Sequence, residues 1–287
     1  MATDGRGTHP KDRNPVKAIT AIGIVCAFGA LLLASIMEGT NPMAFMNIPA
    51  LLLIVGGTSG AVMASTNFQT FMAMPKGMIM SFKGSSVESS GVIQDMVTLA
   101  EKARRNGLLA LEEDVAKIDD AYTKKGLQLV VDGTDSDLVR TILESEVDGM
   151  AQRHGQIAGM FTTAGGFAPT LGIIGTVMGL IHVLENLSAP STLGPAISGA
   201  FIATLYGVSS ANLLFLPVGN KLKEMSAAEV NHRYMVLEAI LSIQAGDNPR
   251  VLAEKLEAYV PPAKRGGGER TTPHSGIVPE EQERQAA

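Results

Sequence analysis

The chain has 287 residues, 46% of them hydrophobic and 18% charged, with a net charge of -5 at neutral pH. Apolar and polar residues are segregated into long blocks, which excludes a single soluble globular domain. The mild acidity offers no basic footprint for nucleic acid, and the single cysteine, Cys26, excludes an internal disulfide.

Residues 1–16 are polar and irregular and read as a disordered cytoplasmic tail. Residues 17–66 carry two candidate spans, Ala18–Met37 and Ile48–Thr66, neither with a charged residue. Each is close to the roughly 20 residues a helix needs to cross a bilayer. Between them, Glu38 to Asn47 is a short polar turn with Pro42.

Residues 67–156 form a large polar segment. A helix is predicted over Gly91–Arg105, with Ser89 or Ser90 as its N-cap, and Gly107 marks a break. Leu111, Val115, Ile118 and Tyr122 recur at helical spacing, with Gly126 suited to the end of that helix. VVDGTDSD is turn chemistry. From Asp137 a helical pattern through Leu138, Ile142 and Val147 runs into the next apolar stretch without a strong stop.

Residues 157–218 hold the third and fourth spans, Ile157–Leu184 and Leu193–Val218, neither containing Asp, Glu, Lys or Arg. Both are rich in Gly, Ala, Ser and Thr. Gly199, Ala203, Gly207 and Ala211 fall four residues apart, and Gly172, Gly175 and Gly179 make a similar stripe. Such stripes let helix backbones approach closely in a membrane. Thr176 and Thr204 place hydroxyls among them. Pro169 and Pro217 each remove a backbone donor and free a carbonyl. Spacing alone fits a packed bundle with ordinary kinks as well as a pathway where hydroxyls and freed carbonyls meet an ion. Residues 219–260 read as C-terminal helices: Asn220–Ala245, continuous with the fourth span, then a short helix from Asn248-Pro249. Residues 261–287 read as a disordered tail.

Orientation follows from the basic residues. Glu38 to Asn47 and Glu185 to Thr192 contain no Lys or Arg, whereas the first tail, the polar segment and the C-terminal segment hold all of them. The positive-inside rule then places both termini and the polar segment in the cytoplasm. The fold class is an all-α membrane protein: four transmembrane helices, a large helical cytoplasmic insertion between the second and third, and a cytoplasmic C-terminal helix.

The sequence has no P-loop, no zinc-type Cys/His set and no nucleophile beside a plausible base, which argues against an enzyme, a bound metal or a cofactor. His182, near the outer end of the third span, reads as an interfacial residue rather than a ligand or relay. No span carries a carboxylate. Coupling sites in lipid are ordinarily ionisable side chains, so a conducting assembly needs a carboxylate from a partner. In AEKARRNGLLALEEDV, Arg104 and Arg105 end one helix, and Glu112, Glu113 and Asp114 begin the next. The pattern suits helix-dipole complementation and also a charged docking surface.

ARRNGLLALEE, LVVDGTDSDLVR, PTLGIIGTVMGL and ISGAFIATLYG followed by LPVGNKL together resemble the MotA/PomA family of flagellar stator subunits. The resemblance runs from the first span to the end of the C-terminal helix. It implies an inner-membrane ion-channel subunit, five copies around a dimer of a MotB-type partner that brings a membrane Asp and a peptidoglycan-binding domain. Ion flow then drives the cytoplasmic segment against the rotor protein FliG. By resemblance, Arg104, Arg105 and Glu112 match rotor-facing charges, and Pro169 and Pro217 the two functional prolines. Thr176 and Thr204 match hydroxyl positions near the partner's Asp. Two arginines stand where some relatives have Arg-Lys or one Arg. The transported ion is left open between proton and sodium, with Thr176, Thr204 and the ATLYG run closer to sodium-type relatives. Two other readings remain: an ExbB/TolQ-type energiser, which has three spans rather than four, and a non-conducting membrane scaffold.

Overall fold

The structure, a computed structural model, describes residues 19–83, 89–188 and 190–262. The tail expected at residues 1–16 and, apart from its first two residues, the one expected at 261–287 lie outside the described residues. Among the described residues every regular element is helical.

Helix α1 spans Ile19–Met37 and α2 spans Ile48–Ser65. The connection between them is held by two asparagines. Asn41 caps a 3-10 turn at Pro42–Phe45, and the Asn47 side chain accepts the Ala50 N–H at 3.0 Å to start α2. Two short helices follow, α3 (Phe68–Met72) and α4 (Met74–Lys83), then α5 (Ser89–Asn106). After a 3-10 turn at Leu108–Leu111 come α6 (Glu112–Ala116) and α7 (Ala121–Val131). Helix α8 then runs unbroken from Ser136 to Glu185, 50 residues, about 75 Å at 1.5 Å per residue. Helix α9 (Pro190–Ser209) passes through a π-helical turn (Ser210–Phe215) into α10 (Leu216–Ala245), and α11 (Pro249–Glu257) ends the fold. Four helices are long and apolar enough to cross a membrane: α1, α2, α8 and the continuous α9–α10.

The first part of α8 and the second part of α10 leave the apolar region and pack into a polar module with α5, α6, α7 and α11. Its core is large: Leu111, Val115, Leu127, Val139, Leu143, Ile240, Leu252 and Leu256 are fully buried. Buried Tyr122 lies under the Arg233 guanidinium, 4.8 Å from its ring centroid, which ties α7 to α10. Burial pushes the Tyr122 phenol well above its ordinary pKa. The module is therefore a folded body continuous with two of the spans.

The structure departs from the sequence expectations at several positions. Leu111, Val115 and Tyr122 are buried as their spacing suggests, but they come from a 3-10 turn and two separate helices. Asp120, whose carboxylate accepts the Thr123 N–H at 2.8 Å, starts a new helix between them. Gly126 does not end a helix. It lies inside α7, where a Cβ would come within 2.5 Å of Ile240 Cδ1 and 2.9 Å of Leu143 Cδ1. That helix ends instead at the Asp-Gly turn, with Gly133 at φ +77°. Ser89 and Ser90 already belong to α5. In the first turns of α8 the buried positions are Val139, Leu143 and the expected Val147, while Leu138 is exposed and Ile142 only half-buried. The fourth apolar helix begins at Pro190, three residues before the expected Leu193.

The third and fourth spans meet along a glycine seam. A Cβ on Gly207 would stand 2.4 Å from the Ala168 carbonyl oxygen and 3.0 Å from Gly172 Cα. One on Gly172 would meet Ala203 O and Thr204 Cα, each at 3.1 Å. Gly175 faces Ala203 and Leu53, and Gly179 faces Ala200. Gly199 instead faces Asn47, the cap of α2. The seam continues beyond the expected stripes, with Gly165 against Leu216 and Gly219 against Ala158 and Phe161.

This geometry separates two kinds of glycine. At Gly207 the obstacles are backbone atoms that cannot turn aside, whereas at Gly126 they are the tips of flexible side chains. Gly207→Ala is expected to lower stability by about 1–3 kcal/mol, the cost of overpacking, and by more than Gly126→Ala. Thermal unfolding of the detergent-purified protein checks this, and the reverse order would mean that the seam is not the tightest contact.

Candidate ion pathway and docking edge

The seam brings Thr176 and Thr204 together. Their hydroxyls hydrogen-bond each other. Thr176 Oγ1 also lies 3.1 Å from Gly172 O and 3.2 Å from Ala200 O, and Thr204 Oγ1 lies 3.2 Å from Gly172 O. Each hydroxyl has one proton to donate and lone pairs left over. Two hydroxyls and two carbonyls thus make an oxygen cluster with more acceptors than protons, half-buried between two apolar helices. Such a cluster can hand on a proton or replace part of a cation's hydration shell. Thr204 can approach Gly172 O only because no side chain stands at Gly172.

A cleft of about 310 Å³ between α2, α8 and α9 leads toward this cluster. His182, Asn47 and Pro195 line it, and so do Gly175, Ala200 and Ala203, the immediate neighbours of the hydroxyls. His182 is exposed and lies near the end of α8 far from the module, with Nδ1 3.4 Å from Asn186 Nδ2. Tyr206 donates its hydroxyl to Phe45 O, fixing α9 to the turn between α1 and α2.

The two prolines act differently. Pro169 is carried within α8 without breaking it; its missing N–H leaves the Gly165 carbonyl without that helical donor. At Pro217 the helix changes pitch. The Leu216 N–H reaches back to Ala211 O, a π-type bond. The wider turn accommodates the crowding that a proline ring imposes on the carbonyl four residues earlier.

The module presents the charged residues at one edge. Gly107, at φ +83°, turns the chain out of α5, and fully buried Leu111 anchors the following turn. Arg104, Arg105 and Glu112 are exposed on either side of this bend. Among the described residues none of the three has an ion-pair partner. What joins the two charged segments is Lys102, whose Nζ is 2.6 Å from Asp114 Oδ2 across the bend. The Lys102 hydrogen bond holds the Asp114 carboxyl below the ordinary carboxylate range. Sequence reasoning missed this strut because the twelve-residue separation spans a glycine bend and matches no helical spacing.

A chain with four crossing helices, two continuous with a folded module, and an oxygen cluster in their seam is a polytopic membrane protein built around a helix pair. Residues 114–235 match the MotA/TolQ/ExbB proton channel family, and residues 21–107 match the Motility protein A N-terminal family. The chain is 38% identical over 244 residues to Motility protein A of Borreliella burgdorferi, covering 85% of this chain and 94% of that protein. It superposes on C. jejuni MotAB with a TM-score of 0.82 at 32% identity, over 86% of this chain and 97% of that one. On the flagellar MotAB stator complex of Bacillus subtilis the TM-score is 0.81 at 39% identity, over 85% and 96%. The chain belongs to the MotA/TolQ/ExbB proton channel family, within its Motility protein A branch.

Proposed function

We infer that this chain is a flagellar motor stator subunit that, with a MotB-type partner, forms an ion channel converting ion-motive force into torque. The observation that carries the reading is likeness to two MotAB stator structures over about 85% of the chain. The hydroxyl–carbonyl cluster in the α8–α9 seam supplies a physical site for conduction. No carboxylate lies within the apolar stretches, so the partner supplies a membrane Asp, together with its peptidoglycan-binding domain. Five copies surround a partner dimer in the bacterial inner membrane. Both termini and the module face the cytoplasm, where exposed Arg104, Arg105 and Glu112 meet FliG. The ion is a proton or sodium. Pro169 and the wider turn before Pro217 are the places where α8 and α9–α10 bend as the Asp changes charge. An ExbB/TolQ-type energiser is the weaker reading, because residues 21–107 match the motility N-terminal family and α1 and α2 complete four spans.

Two measurements test this. Thr204→Val removes the hydroxyl at constant shape, so ion flux through the assembled complex is expected to fall by at least about tenfold, the value of one hydrogen bond to an ion. Thr204→Ser keeps the hydroxyl and is expected to be mild. Flux that persists when the partner's Asp is replaced by Asn contradicts the borrowed carboxylate, and equal flux in the two variants removes Thr204 from the pathway. At the module edge, Arg105→Glu or Glu112→Lys is expected to change stability by less than about 1 kcal/mol yet stop swimming, with rescue by a charge reversal on the rotor. Loss of the folded protein, or failure of every rotor reversal to rescue, favours the helix-dipole role.

A further inference from the structure

A second cleft, of about 400 Å³, lies between α1 and the stretch where the π turn enters α10. It is separate from the Thr176–Thr204 cluster. Its lining is mostly apolar, with Gly23, Ile24 and Ala27 from α1 and Leu213 and Pro217 from the other wall, while Thr20, Asn212 and Asn220 add polar groups. At its module end stand Lys221 and Glu224, paired at 3.0 Å. Among the described residues nothing occupies this space: a Cβ on Gly23 would meet no atom within 4 Å, and none of the apolar stretch Thr20–Met37 is buried.

An apolar cleft open to a bilayer takes up hydrocarbon, because an empty one forfeits dispersion contacts along its walls. The charged pair at its mouth narrows the choice of headgroup. A purely anionic head would find Lys221 but also meet the Glu224 carboxylate. A head that carries a phosphate and an ammonium satisfies both, the phosphate accepting from Lys221 Nζ and the ammonium donating to Glu224. Charge-assisted hydrogen bonds of this kind are the strong ones. A quaternary ammonium has no N–H to donate, so a primary ammonium fits Glu224 better.

We propose that the α1–α10 cleft binds one phospholipid of the phosphatidylethanolamine type, headgroup on Lys221 and Glu224 and acyl chain against Gly23 and Pro217. The proposal rests on the reading of α1 and α9–α10 as membrane spans. The lipid fills the gap between α1 and the helix that changes pitch at Pro217, so it braces that bend from outside the seam.

The test uses the full chain purified in the assembly it forms in its own membrane and placed in nanodiscs of equimolar dioleoyl phosphatidylethanolamine, phosphatidylcholine and phosphatidylglycerol. After re-extraction and washing, the lipid retained is counted by mass spectrometry. About one phosphatidylethanolamine per copy is expected to remain, as at other lipid sites between spans. Gly23→Leu fills the cleft and is expected to abolish retention. Lys221→Gln and Glu224→Gln lie at the mouth, where folding is least affected. Glu224→Gln is expected to reduce the preference for ethanolamine over choline about tenfold, the size of one charge-assisted hydrogen bond, whereas Lys221→Gln, which removes the donor to a phosphate all three lipids share, is expected to lower total retention about tenfold without changing that preference. Retention in the ratio of the bulk mixture, preference for the glycerol lipid, or equal retention by Gly23→Leu overturns the proposal. So does a Gly23→Cys variant that cross-links to another copy of the chain, because that copy then covers the cleft. Ion flux is not part of this readout, so failure of the stator reading leaves the result intact.

Discussion

Inside a bilayer there is no hydrophobic force to press one helix against another, because lipid tails are as apolar as leucine. Helices α8 and α9 are held by what remains, close van der Waals contact and hydrogen bonds between helices. Both demand the same thing of the sequence: nothing larger than Gly or Ala where the backbones cross. Gly172 and Gly207 provide that approach, with Gly207 against the Ala168 carbonyl and Gly172 against Ala203 and Thr204. The hydroxyl cluster is a consequence. Thr204 Oγ1 reaches Gly172 O, and Thr176 Oγ1 reaches Ala200 O, only across a seam this narrow.

The seam matters beyond the bilayer because its two helices do not stop there. Helix α8 enters from the module core at Val139, Leu143 and Val147, and α10 returns to that core at Ile240 and Ile243. The seam is thus joined through two continuous helices to the module whose edge bears Arg104, Arg105 and Glu112. Pro169 lacks one helical bond, and Pro217 follows a turn that is already wider. The Lys102–Asp114 pair ties together the two sides of the charged edge.

Much of the fold was legible in the sequence, for reasons that can be named. The spans were visible because a bilayer demands long uncharged runs. The run-through from α8 into the bilayer was visible because no cap or breaker interrupts it. Asp-Gly marked the turn that precedes α8, and Asn-Pro the start of α11. What was illegible depends on contacts between distant residues. Gly126 reads as a stop until Ile240 and Leu143 are seen closing over it. Leu111, Val115 and Tyr122 keep a helical period although the chain breaks twice between them, because separate elements face one core. Gly165 and Gly219 belong to the seam and keep the spacing of its stripes, seven residues before Gly172 and eight after Ala211, but that they lie at the contact shows only once Leu216, Ala158 and Phe161 are seen against them. For the site, sequence spacing put Thr176 and Thr204 on small-residue faces; that the two touch follows only from the register of α8 against α9.

The central claim is that the two hydroxyls act as one unit within the seam, and a double-mutant cycle addresses it most directly. Unfolding free energies would be measured for the assembled complex and for Thr176→Val, Thr204→Val and the pair. A direct interaction predicts that the double variant loses less than the sum of the single variants, with a coupling of about 0.6–1.7 kcal/mol, typical of hydrogen bonds between membrane helices. Losses that add within about 0.3–0.5 kcal/mol, as they do for independent sites, would contradict it.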